Sequence, residues 1–149
     1  MCLFRLLTAT LVLSSTVPIV ASAAEAAASV RVEVTGLRNT AGHVVCKLFN
    51  APEGVPEDNS RAYRKVIAPI KGAQASCDFK DTPPGTYALI VLHDENMNAK
   101  MDKNFLGIPT EGYVTSNNVR PALSAPKFSE SSFSVKAGVD TIINAKVGY

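Results

Sequence analysis

The chain is poor in the residues that most often do chemistry. It has two histidines and three cysteines in 149 residues, and none of them forms a recognised constellation. There is no Gly-x-Ser-x-Gly elbow, no His-Glu-x-x-His pair and no Cys-x-x-Cys, so standard nucleophilic, zinc and redox sites lack a sequence basis. An excess of charge is also missing: 15 Lys and Arg stand against 13 Asp and Glu, a formal +2. Nucleic-acid binding needs clustered positive charge, so it is not expected. No internal repeat and no convincing amphipathic helix is present.

The composition is that of an ordinary globular protein, and the length suits one domain. Residues 1–23 stand apart. Arg5 is their only charge, Leu6 to Val20 is almost wholly apolar or small, and Ala21-Ser22-Ala23 puts small residues where signal peptidase reads them. The pattern predicts a signal peptide cleaved after Ala23, with Ala24 and Ala26 as nearby alternatives. An uncleaved anchor is the competing reading, weakened by Pro18 and the small-residue tail. Cys2 precedes the apolar run, so it is no lipid-attachment signal. The expectation is a periplasmic or secreted domain over residues 24–149, with no transmembrane helix in the mature form.

Past residue 28 the period becomes two. Val30, Val32 and Val34 alternate with Arg31, Glu33 and Thr35, and similar runs follow at 43–50, 63–70, 74–80, 86–93, 131–136 and 139–147. Pro69 confines the third run to a sheet edge. The fifth, Thr86 to His93, is the most hydrophobic and reads as a central strand buried on both faces. These runs predict an all-β, antiparallel β-sandwich of about seven strands, transthyretin-like or immunoglobulin-like. A long irregular loop, 94–130, follows the central strand.

Without Cys2, the exported domain keeps Cys46 and Cys77, which alternation places on inward faces of two strands. An even pair in an oxidising compartment suggests a disulfide; two buried free thiols are the alternative.

Four segments occur in a distinctive order: Pro84-Gly85-Thr86-Tyr87-Ala88-Leu89, His93-Asp94-Glu95-Asn96-Met97-Asn98, Gly107-Ile108-Pro109-Thr110-Glu111-Gly112-Tyr113 and Ser116-Asn117-Asn118. With Pro126-Lys127-Phe128 and Phe133, they make the chain resemble the exported bacterial family called domain of unknown function 2141. The resemblance implies a transthyretin-like sandwich and export, and implies no biochemical activity. One departure is Ala99, where members of that family usually carry Gly.

The loop after the central strand holds the candidate chemistry. Asp94, Asn96, Asn98 and Asp102 occupy positions 1, 3, 5 and 9 of an alternation that wraps a chain around calcium, with the Lys100 carbonyl at position 7. Position 6 is Ala99 instead of Gly, and position 12 is Phe105 instead of Glu. Glu111 or Glu95 is a candidate to supply the missing carboxylate, whereas Lys100 and Lys103 oppose a cation. The competing reading is a loop whose Asp and Asn side chains bond their own backbone. His93, Tyr113, Ser116, Asn117 and Asn118, with Arg120, form a candidate polar surface beside it, or else organise the loop.

Three functions follow as expectations. The leading one is a non-enzymatic exported sandwich that binds a ligand, calcium or an envelope or extracellular partner through the 94–120 loop. The second is a metal-assisted hydrolase using His93, Asp94 and Glu111. The third is an envelope protein with a purely structural cation.

Overall fold

Alternation at the start of the domain becomes an alternation of environments. In strand β1 (Ala28–Thr35), Ala28, Val30, Val32 and Val34 are buried while Arg31 and Thr35 are exposed. A fully buried valine contributes roughly 1.5–3 kcal/mol by leaving water, so this register resists slippage. The computed structural model describes residues 26–121 and 124–149. The expected signal peptide, residues 1–23, lies outside the described residues.

Seven further strands follow: β2 (His43–Phe49), β3 (Arg64–Ala68), β4 (Ala75–Thr82), β5 (Gly85–Asp94), β6 (Gly112–Thr115), β7 (Ser132–Val135) and β8 (Thr141–Lys146). One sheet has the order β4-β1-β8 and the other β3-β2-β5-β6, with β7 paired to β5. The two sheets enclose one core, to which Val30, Val32, Phe79, Leu48, Leu89 and Val91 contribute. The chain is thus an all-β sandwich, with no helix among the described residues. None of the described residues forms a helix long and apolar enough to cross a membrane.

Two details differ from the sequence reading. First, β1 and β8 run parallel, Val30 opposite Thr141 through Thr35 opposite Lys146, so the smaller sheet is mixed. Second, the segment read as a continuous loop contains β6, which pairs with Ile90–His93 of β5. β7 takes the first half of the same edge, opposite Gly85–Ala88. Four residues of β6 are too few for a visible period, and all four are buried, which removes the polar alternation that marks a strand.

Cys46 on β2 and Cys77 on β4 form a disulfide, their Cα atoms 6.5 Å apart. It ties the two sheets together through the core, where both residues are wholly buried. β5 is central, with β2 on one side and β6 and β7 on the other, and every residue from Tyr87 to Asp94 is buried. β3 is the edge strand that Pro69 requires.

The larger sheet is covered on its outer face as well. Val45, Phe49, Ala88, Ile90 and Leu92 alternate with the core-facing residues of β2 and β5, yet they too are buried. Segments 56–57 and 101–109, with Pro121 and residues 124–126, lie over this face. That cover is what positions the candidate site.

Candidate functional site

Residues 94–111 leave the end of β5 and fold back on themselves. Asp94 is the anchor. Its carboxylate is wholly buried and accepts from His43 Nε2 at 2.9 Å and from the Ala99 amide at 2.7 Å through Oδ2, and from the Asn98 amide at 3.1 Å through Oδ1. Gly42 permits the approach: a Cβ there would lie 1.9 Å from the Asp94 carbonyl oxygen, and its φ is +67°. Met97 and Ala99 carry the chain around with φ of 62° and 59°.

The remaining loop oxygens are taken in the same way. Asn96 Oδ1 accepts from the Asn98 amide at 3.1 Å, and Asn98 Oδ1 accepts from the Lys100 amide at 2.8 Å. Both asparagines then turn their Nδ2 groups to Asp102, Asn98 at 3.0 Å. Glu111 Oε1 accepts from the Glu95 amide at 2.8 Å, and its Oε2 from the Asp102 amide at 3.2 Å. Asn59 reaches over from the 52–62 segment and donates to the Ala99 carbonyl at 2.9 Å.

The structure therefore brings Asp94, Asn96, Asn98 and Asp102 together, with Glu111 beside them, but through amide donors. Two side-chain N–H groups occupy the face of Asp102 that a cation would claim. Among the described residues, no group of three or more His, Cys, Asp or Glu side chains is placed to hold a metal ion. Phe105, at position 12 of the alternation, is 95% exposed near the tip of a small hairpin closed by the bridge between Lys103 and Pro109.

His93, Asp94 and Glu111 do not converge. Successive residues of a strand point to opposite faces, so His93 and Asp94 are separated by the sheet itself. His93 is wholly buried; its Nε2 donates to the Ala41 carbonyl at 2.9 Å and its Nδ1 accepts from the Tyr149 hydroxyl. The Tyr149 oxygen accepts in turn from the Arg38 amide at 3.1 Å. Arg38 lies over the Tyr149 ring, 4.4 Å from its centroid, and donates to Glu95 Oε1 at 2.7 Å. That hydrogen bond holds the Glu95 carboxyl below the usual carboxylate range.

Ser116, Asn117 and Asn118 serve the backbone. Ser116 Oγ accepts from the Leu89 amide at 3.1 Å and donates to the Ser131 carbonyl. Asn117 donates to the carbonyls of Glu130 at 2.9 Å and Ser132 at 3.1 Å. Asn118 donates to the Asn144 carbonyl at 3.0 Å and accepts from the Lys146 amide at 2.9 Å, joining the loop to β8. These three knit strands where β6 gives way to β7. Tyr113 faces outward instead, with Arg120 over its ring at 5.4 Å.

The feature that the loop chemistry did not announce lies between the loop and the sheet. The cover over the larger sheet leaves a cavity of about 280 Å³. Its floor is Lys47, Ile90, Leu92 and Tyr113, all on the outer face, and its walls include Met101 and Ile108. Lys47 is 3% exposed. The signal for it was present in β2: Val45 and Phe49 flank Lys47 on a face that simple alternation assigns to water, and two apolar residues there mean that the face is covered.

A family profile described as "Uncharacterized protein conserved in bacteria (DUF2141)" matches residues 32–143. No curated protein matches the chain, and no solved structure matches it.

Proposed function

From the premise that the chain belongs to the bacterial family DUF2141, we propose that it is an exported, non-catalytic binding protein whose site is the cavity beneath the 94–120 loop. The observation that carries this reading is the division of labour in that loop. Its polar side chains are consumed in holding its own shape, and the shape encloses a largely apolar void on a rigid sheet. Ligand sites are commonly concave, largely apolar and preformed, with a few polar groups to orient the guest. The fold alone argues for no function.

Export is supported by the leader-like residues 1–23 and by the Cys46–Cys77 disulfide, a bond that persists in oxidising compartments. A non-catalytic role is supported by the sheet that separates His93 from Asp94 and by the backbone bonds that His93, Asp94 and Glu111 each make.

A thermal-shift screen of small organic compounds tests the site. Compounds that stabilise the protein should lose their effect in Met101→Trp, which fills the cavity from a half-exposed wall position. If every stabilising compound acts equally on the wild type and on Met101→Trp, the cavity is not the site.

A further inference from the structure

Lys47 is a charge placed where a charge is costly. Its side chain sits on the cavity floor with 3% exposure, and its Nζ makes one long hydrogen bond, 3.4 Å to the Pro56 carbonyl. An ammonium has three donors. Among the described residues no ion pair includes Lys47; the nearby Glu57 is taken by Lys103 at the cavity rim. Burying a cation without a partner costs several kcal/mol in most settings, and an apolar side chain of the same length would fill this position without that penalty.

The surroundings define what would complete it. The cavity is lined mainly by apolar residues, Ile90, Leu92, Met101, Ile108 and the Tyr113 ring among them, with the Glu57–Lys103 pair also on its wall. A bare inorganic anion would meet Lys47, a Lys103 already paired with Glu57, and a mainly apolar wall, and a neutral apolar guest would leave the Lys47 ammonium unpaired. A guest with one anionic head and an apolar body satisfies both parts.

We infer that the cavity binds a small amphipathic monocarboxylate, its head paired with Lys47 Nζ and its apolar body laid against Ile90, Leu92, Met101 and Ile108. This rests on the reading of the cavity as the binding site and adds the class of ligand. Lys47 supplies orientation and selectivity for charge, while the apolar lining supplies most of the affinity.

The test is calorimetric titration of the purified protein with three probes: octanoate, 1-octanol and inorganic phosphate. Octanoate is expected to bind with a Kd on the order of a millimolar or tighter, and octanol and phosphate at least tenfold more weakly. Lys47→Met and Lys47→Gln, each checked for a native circular dichroism spectrum, should weaken octanoate at least tenfold. Met101→Trp should weaken it as well. Octanol binding as tightly as octanoate, phosphate binding as tightly as octanoate, or octanoate binding undiminished in both Lys47 variants each overturns the inference. If octanoate fails while other compounds still lose their effect in Met101→Trp, the ligand class is wrong and the cavity stands. If no compound depends on Met101, the cavity itself is wrong.

Discussion

His43 on β2 and Asp94 on β5 stand opposite each other in the antiparallel ladder, and the imidazole Nε2 donates to the buried Asp94 carboxylate at 2.9 Å. The pairing makes the first residue of the loop part of the sheet, and with the amides of Asn98 and Ala99 it gives the carboxylate three donors. Asp94→Ala would strand those donors in a buried place. It is expected to cost about 3 kcal/mol in urea unfolding. A loss under 1 kcal/mol would mean that water enters and replaces the carboxylate.

Ala99 adopts φ of 59°, a left-handed conformation that costs an L-residue roughly 1–2 kcal/mol. Ala99→Gly removes that strain and adds some unfolded-chain entropy. The net expectation is a gain of about 0.5–1 kcal/mol, read from the urea midpoint at unchanged slope. A lower midpoint would show that the Ala99 methyl packs more favourably than its backbone suffers.

Calcium is expected to leave the melting temperature unmoved at millimolar concentration. The oxygens of Asp94, Asn96 and Asn98 already accept backbone amides, and Asp102 accepts the side-chain amides of both asparagines. A cation would have to reverse those two amides and compete with every other bond. A calcium-dependent rise of several degrees, absent with magnesium, would show that they do reverse and that the ion stabilises by mass action.

The sequence conveyed the fold well wherever one face of a strand meets water. Val30, Val32 and Val34 could be assigned inward because Arg31 and Thr35 could not be. It conveyed less wherever both faces are buried. β6 was hidden for that reason, and the outer-face cavity was hidden because Val45, Lys47 and Phe49 look like a mixed polar face until the covering segments lie over them. The Asp and Asn residues of the loop were found by spacing, but spacing is the same for a loop that binds a cation and for one that bonds its own amides. His43 was out of reach because only the register of β2 on β5 brings it to Asp94.

The disulfide closes a loop of 31 residues between strands of different sheets. Replacing Cys46 and Cys77 together by alanine is expected to lower stability by about 3–4 kcal/mol through the entropy of the unfolded chain, plus a smaller loss of packing. Equilibrium unfolding of the double variant measures it. A change below 1 kcal/mol would indicate that the unfolded chain already holds these strands close.

Lys47 links stability to pH and to binding. Burial lowers its pKa from the ordinary 10.5; Glu57 and Asp94 oppose the shift and Lys65 adds to it. Between the lowered folded value and 10.5 the unfolded chain binds more protons than the folded one, so stability due to Lys47 rises with pH in that window. It is fully present above 10.5 and lost as pH falls through the folded value. Tyr87 and Tyr149, whose pKa values burial raises, act the opposite way above about pH 10. Lys47→Met isolates the lysine because both proteins keep the tyrosines. The variant is expected to be more stable than the wild type at pH 7 by about 1–3 kcal/mol, with the difference shrinking steadily toward pH 10.5. Urea unfolding at several alkaline pH values reads this directly. A difference independent of pH would place the effect in packing instead of charge. If the stabilised variant also loses octanoate, the cost of keeping an ammonium on the cavity floor is the cost of recognising an acid.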